Sequence, residues 1–341
     1  METGAVGALG VFGAGMIVWR SWKLLLAAAL VTVVTVGGML LLHGRSKGQH
    51  LVVAESRQMM SALIFVAQTE GHFADQGLSV ELLPVANGKV AMETLLEGRA
   101  ELALSSDVPV ANAMLASKPV RILSTVQTSD RDVVIVSPRG GGLTSPAALA
   151  GKRIGYSPDT NSQHFLDLLL TQSGLVGQVT LVPCDNGRIM QAMADGEIDA
   201  ASVWTTVRVA GTHLFPGGVD VLTLPGLYTS SWIVSARTDV TEGKRDALVR
   251  FVRALLAAEW FILKNRERAI PIVARATGLD EALVRSHWES YGFALRMDQA
   301  LLLSLEGHLR RAGGSPGPEM LGYLRSDILR EVDPTRVTVL D

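Results

Sequence analysis

The sequence predicts an α/β protein built of two similar lobes behind an apolar N-terminal segment. Three observations carry this. Strands and helices alternate from Leu51 onward, the alternating run occurs twice, and the 19 residues from Leu24 to Leu42 hold no charge.

The first 23 residues read as an N-terminal tail. It is rich in Gly and Ala up to residue 15, and Met1 and Met16 are alternative starts. Gly10, Gly13 and Gly15 follow no strand and lack the spacing of a dinucleotide fingerprint. Residues 24–42, at 1.5 Å per residue, span about the thickness of a bilayer core. The run exceeds a usual secretory h-region, and no A-x-A site or lipobox cysteine follows. An uncleaved transmembrane signal anchor is therefore expected in preference to a cleaved signal. Arg20 and Lys23 before it and Arg45 and Lys47 after it leave its orientation open. Residues 43–50 form a polar linker.

The first run reads as strand Leu51–Ala54, helix Met59–Thr69, strand Leu78–Val85, helix Val90–Glu97, strand Leu102–Leu104, helix Val108–Ala116 and strand Val120–Val126. The second reads as strand Arg153–Ser157, helix Asn161–Ser173, strand Val179–Val182, helix Gly187–Ala194 and strand Ile198–Val203. An echo links the runs: Gly98, Glu101 and Ala103 in one, Gly196, Asp199 and Ala201 in the other, at identical spacing. Val133–Ser137 and Ser231–Ala236 are the candidate crossover strands. The predicted lobes are 51–135 with 231–341, and 136–230. Lys244–Asn265 is an amphipathic helix whose apolar face takes Phe251, Leu255, Leu256 and Trp260, and the C-terminal helices are expected to return to the first lobe.

The stretch Gly151–Gly174 holds the best-marked helix start. Ser157-Pro158 stops a strand, and Thr160 and Gln163 have the spacing of a capping box. A helix N-terminus beside small hydroxyls favours an anion or a polar ligand oxygen; serving only its own helix is the plainer reading. Ligands of open α/β sheets sit outside the carboxyl ends of the strands. Two facing lobes would set Ser56, Ser105 and Ser106 against Ser157, Thr160, Asn161 and Trp204, with Gln58 and Ser162 adding donors. Trp204 is expected either to wall the ligand or to fill the sheet end. Arg57 could pair an anionic head group, although a solvated arginine is commoner there. His164 reads as structural, and Asp107 could accept from a cationic ligand, although capping the next helix is the plainer reading.

Bulk properties narrow the classes. A net charge of −2 and few aromatics argue against nucleic acid. The single cysteine, Cys184, excludes an internal disulfide, a Cys-based zinc site and a CxxC pair, and reads as a packed side chain. No metal is called, no cofactor, and no catalytic residue. Arg139-Gly-Gly-Gly142 lacks the Lys-Ser/Thr of a phosphate loop and reads as a turn.

The ordered series Phe65-Val-Ala67, Gly71-His-Phe73, Gly77-Leu78, Val80-Glu81, Leu95, Gly98, Glu101-Leu-Ala103, Leu149-Ala-Gly151-Lys152, Ile154-Gly155 and Gly196-Glu-Ile-Asp199-Ala200 resembles the sulfonate/nitrate/taurine-type solute-binding proteins of bacterial ABC importers, a family that includes thiamine-pyrimidine-precursor binders. The resemblance runs from about residue 51 to near the C-terminus. It implies a periplasmic-binding-protein-like, two-lobed flytrap with a two-strand hinge, lobes on the periplasmic side of the inner membrane, and an ABC permease and ATPase as partners. Members often carry Trp-Asp/Glu-Pro after the strand; here Thr205 and Thr206 follow Trp204, which weakens the case for an amine-bearing ligand. The implied function is capture of a small anionic or heterocyclic ligand for import. The alternatives are a membrane-tethered sensor and an enzyme of pyrimidine synthesis on the same fold.

Overall fold

A computed structural model describes residues 49–314 and 317–339. The predicted tail, transmembrane span and nearly all of the linker lie outside the described residues. Among the described residues no helix is long and apolar enough to cross a membrane.

The chain forms eleven strands among the described residues: β1 Gln49–Glu55, β2 Leu78–Pro84, β3 Leu102–Ser106, β4 Val120–Ser129, β5 Val133–Pro138, β6 Arg153–Tyr156, β7 Thr180–Pro183, β8 Ala200–Trp204, β9 Val219–Leu222, β10 Ser230–Arg237 and β11 Gly292–Arg296. They make two sheets. The first runs β2-β1-β3-β10-β4-β11 and the second β7-β6-β8-β5-β9. β1 and β3 are parallel, as are β6 and its neighbours β7 and β8, while β10 and β5 each lie antiparallel to both neighbours. Without β11, the two orders match strand for strand, so the twofold run in the sequence is a twofold run in space.

The chain crosses between sheets at residues 130–132 and 223–229. Val133–Ser137 and Ser231–Ala236, expected to be the crossing strands, instead lie wholly inside one sheet each. Each is the antiparallel strand that follows a crossing.

The glycine–acid echo has a mechanical meaning. Gly98 and Gly196 hold φ of 78° and 72°, the left-handed region that ends a helix. The acid three residues on then grips the first strand of its own lobe. Glu101 gives its N–H to the Val52 carbonyl at 2.9 Å and takes the Val52 N–H on its carboxylate at 3.2 Å. Asp199 does the same to Arg153, at 2.8 Å in both directions.

Packing differs between the lobes. The first has one continuous core, with Leu51, Val53, Ile64, Leu104, Phe251 and Leu255 fully buried. β3 is buried along its whole length, as an inner strand covered on both faces must be. The second lobe is thinner. Its core is split into one cluster around Ile154, Phe165 and Leu169 and another around Ile189, Met193, Val203 and the buried Cys184.

Two C-terminal expectations change. Trp260 is 52% exposed, with Lys264 above its ring. Nine residues after the buried Phe251, at 3.6 residues per turn, it falls on the opposite helix face. β11, unforeseen among helices, adds a sixth strand beside β4.

Candidate functional site

At their carboxyl ends β1, β3, β6 and β8 each deliver the chain to a helix or helical turn. The helix Asn161–Gln172 begins where expected. Thr160 caps it by accepting the Ser162 N–H at 3.2 Å, and its hydroxyl donates to the Ser157 carbonyl at 2.8 Å. Gln163 reaches back, but to the Asp159 N–H at 2.9 Å rather than to the cap residue's own. In the first lobe Asn87 caps the helix Gly88–Leu96, taking the Val90 N–H at 3.0 Å. The loops at the mouth are strained: Arg57 and Asp159 hold φ of 37° and 59°, a region few non-glycine residues occupy. Lys89 of the first lobe pairs with Asp159 of the second at 3.0 Å.

Of the ten residues singled out from the sequence, nine are buried: Ser56, Gln58, Ser105, Ser106, Ser157, Thr160, Asn161, Ser162 and Trp204. Arg57 is exposed. Their hydrogen bonds sort them further. Thr160 is occupied by its cap. Ser162 and Ser202 exchange hydroxyl-to-carbonyl bonds at 2.8 Å, tying the helix to β8. The Ser105 hydroxyl bonds the Ser106 carbonyl at 3.3 Å. Trp204 packs into the second lobe's core and donates its indole N–H to Asn161 Oδ1 at 2.8 Å. That bond fixes the amide orientation and leaves Asn161 Nδ2 buried without a partner. Ser56 Oγ and Gln58 Oε1 are likewise buried and unpartnered. Arg57 offers its backbone N–H to Glu55 at 2.7 Å, and burial pushes the Glu55 carboxyl up to about 7 against the lowering pull of Arg57 and Ser61.

Sequence reasoning missed a second group, brought in by the crossings and the C-terminal third. Gln127, wholly buried on β4, has no partner for either amide atom. Asp107, expected to cap a helix, does accept the Val108 N–H at 3.0 Å. It also takes hydrogen bonds from Tyr228, from Ser304 at 2.8 Å, and from His308 at 3.3 Å. Burial alone would raise its carboxyl; the His308, Tyr228 and Ser304 bonds hold it below its ordinary value. Tyr228 belongs to the second lobe's core, so this cluster joins the lobes. His164 faces His308 and Tyr228 with ring centroids 4.2 and 5.0 Å away, and meets Arg311 at 3.0 Å. Burial, with His308 and Arg311 adding to it, pushes His164 down to about 3.

At the first crossing Tyr291 donates to Asp132 at 2.7 Å; burial raises that carboxyl to about 6, and its other oxygen is unpartnered. Half-buried Arg208 reaches His287 at 3.4 Å across the lobes, its Nε unpartnered. No cluster of three His, Cys, Asp or Glu side chains suited to a metal occurs among the described residues.

Comparison with known proteins places this geometry. A Brucella abortus (strain 2308) protein, provisionally named a binding protein, is 24% identical over 251 residues, 72% of this chain and 77% of its own. A 4-amino-5-hydroxymethyl-2-methylpyrimidine phosphate synthase of Uromyces fabae is 30% identical over 139 residues, 40% of each chain. The alkanesulfonate-binding protein SsuA of Xanthomonas axonopodis pv. citri superposes with a TM-score of 0.66 at 18% identity, covering 78% of this chain and 92% of its own. The periplasmic nitrate-binding protein NrtA of Synechocystis PCC 6803 superposes with a TM-score of 0.69 at 12% identity, covering 85% and 89%. The fold is thus that of the two-lobed periplasmic binding proteins. The family model described as NMT1/THI5 like matches residues 58–269, more than half of the sequence, and the chain belongs to that family.

Proposed function

We propose that this protein is an extracytoplasmic solute-binding protein that closes its two lobes on a small molecule and hands it to an ABC importer. One observation carries the reading: buried polar atoms without partners occur on both lobes just past the carboxyl ends of β1 and β6, Ser56 Oγ and Gln58 Oε1 on one and Asn161 Nδ2 on the other. A buried polar group left unpaired costs about 1–3 kcal/mol, so a ligand that pairs these atoms recovers that cost only when both lobes reach it. Closure then follows from differential binding: the ligand contacts both lobes in one state and one lobe in the other. The binding-protein relatives and neighbours support the same reading, and those named periplasmic support a place outside the cytoplasm. Residues 24–42 would serve as the tether.

Within this reading Ser56, Gln58 and Asn161 contact the ligand directly, with Ser106 and Ser157 beside them. Thr160, Ser162 and Trp204 hold Asn161 in place. Arg57 guards the mouth. The test is a thermal-shift and calorimetric screen of the full-length chain. A ligand at 100 times its Kd should stabilise the protein by about 2.7 kcal/mol. Asn161→Ala should abolish that shift; it leaves the Thr160 cap intact but strips the buried Trp204 indole N–H of its acceptor, so the free protein should lose about 1–3 kcal/mol and remain folded. Turnover of the bound compound by the purified chain would favour the synthase-like reading suggested by the Uromyces relative.

A further inference from the structure

We infer that the part of the ligand seated against Gln127 is uncharged and carries both a hydrogen-bond donor and an acceptor, as a carboxamide, lactam or amidine-like edge does. This rests on the binding reading above and narrows it.

The position of Gln127 follows from a β-bulge. On β10, Trp232 lies opposite Gln127, but the next residue, Ile233, lies opposite Thr125, so Val126 is the extra residue. Bulges re-aim side chains next to functional sites. In a regular strand Gln127 and Thr125 would share a face; with Val126 inserted they lie on opposite faces, Thr125 with Ile233 and Gln127 with Trp232, whose partner on the other side is Ser106. The short 3-10 turn Met59–Ser61, which Gln58 opens, packs onto β4, and Trp232 gives its indole N–H to Ser61 at 3.2 Å. Gln127, Gln58 and Ser106 are thereby gathered about one tryptophan at the carboxyl ends of β4, β1 and β3.

The chemistry of the partner follows from which atoms are orphaned. Both Gln127 Oε1 and Gln127 Nε2 are buried and unpaired. Exchanging them by an amide flip changes nothing: the site still needs one donor and one acceptor. Asn161 is fixed by Trp204 and needs an acceptor. A nitrate, sulfate or ionised sulfonate group presents acceptors only, and would leave the Gln127 oxygen facing another oxygen. Arg57, the cation next to Ser56 and Gln58 in the chain, is exposed, whereas the ionisable groups buried beside these strand ends are the carboxyls of Glu55, raised by burial to about 7, and Asp107.

The test titrates the full-length chain with two probe sets by calorimetry: nicotinamide, uracil and cytosine as uncharged donor–acceptor edges, and nitrate, sulfate and methanesulfonate as acceptor-only anions. It then repeats the titrations with Gln127→Leu, a substitution of similar volume. The expected result is binding from the uncharged set, weakened at least tenfold by Gln127→Leu, while the melting temperature of the free variant stays level or rises because a buried unpaired amide has gone. A structural role for Gln127 would lower that melting temperature instead, and would overturn the inference. Binding of an acceptor-only anion that survives Gln127→Leu would also overturn it, leave the binding-protein reading standing, and direct attention to Arg208. Binding of neither set would count against both.

Discussion

The two lobes are built on one strand order and one glycine–acid clamp, yet they are braced differently. In the first, Glu101 is tied from outside its own run by Lys244 at 2.5 Å, at the start of the long C-terminal helix. In the second, Asp199 is tied by Arg153, the same residue whose backbone it clamps, at 2.8 Å. The first lobe has recruited the C-terminal third of the chain as a brace; the second makes do with local partners and a divided core. The same C-terminal third supplies Tyr291, His287, Ser304, His308 and Arg311, the side chains that touch or prop the opposite lobe or the crossings. A lobe that gains mass after a duplication-like repeat also gains the reach to grip its twin.

The comparison can be broken most forcefully at Asp107, where two buried donors, Tyr228 and His308, and the half-buried Ser304 converge from both lobes. Asp107→Ala should cost about 3–5 kcal/mol, the range for removing one partner from a buried charged network, read by urea denaturation. A loss under about 1 kcal/mol would mean that the lobes are not joined there. Close backbone approaches come next. A Cβ at Gly88 would meet the Trp232 ring at 2.8 Å and the Ser105 backbone at 3.1 Å, and one at Gly155 would meet Ile198 Cδ1 at 2.4 Å. Each Gly→Ala should cost about 1–3 kcal/mol by overpacking. The Gly155 variant should fall at the lower end, because a side-chain methyl can yield where the Ser105 backbone cannot. Equal losses would erase that distinction.

The lobes should also answer pH in opposite senses. Glu55, raised from 4.5 to about 7 in the fold, binds more protons folded than unfolded between those values, so its contribution weakens as pH rises through that window. His164, lowered from 6.5 to about 3, binds fewer protons folded than unfolded, so its contribution weakens as pH falls from 6.5 toward 3. Melting curves from pH 4 to 8 should therefore show Glu55→Gln removing a loss on the alkaline side and His164→Gln removing a loss on the acid side. Parallel curves for both variants would contradict the assignment. The smallest effect is expected from the clamps: Asp199→Asn, on a carboxylate about a third exposed, should cost about 1 kcal/mol.

How much of this was readable beforehand depended on range. The βα alternation, the capped helix at Thr160 and the Gly98/Gly196 echo are local patterns, and each marks a real boundary. The strand ends carrying Ser56, Ser106 and Asn161 followed from them. Hydroxyl-rich sequence alone does not say which hydroxyls are already in use: Thr160 is held by its cap and Ser162 by Ser202, and only coordinates show it. Gln127 was hidden by the Val126 bulge, which moves it off the face that simple alternation assigns. Tyr228, Tyr291 and His308 reach their partners across 121, 159 and about 200 positions, and no local pattern announces such contacts.

The claim that both lobes hold one ligand is tested most directly by titrating the tightest binder of the probe sets into Gln58→Ala and Asn161→Ala, one change per lobe, at full length. The account predicts that each weakens binding at least tenfold. Full affinity in either variant would contradict it.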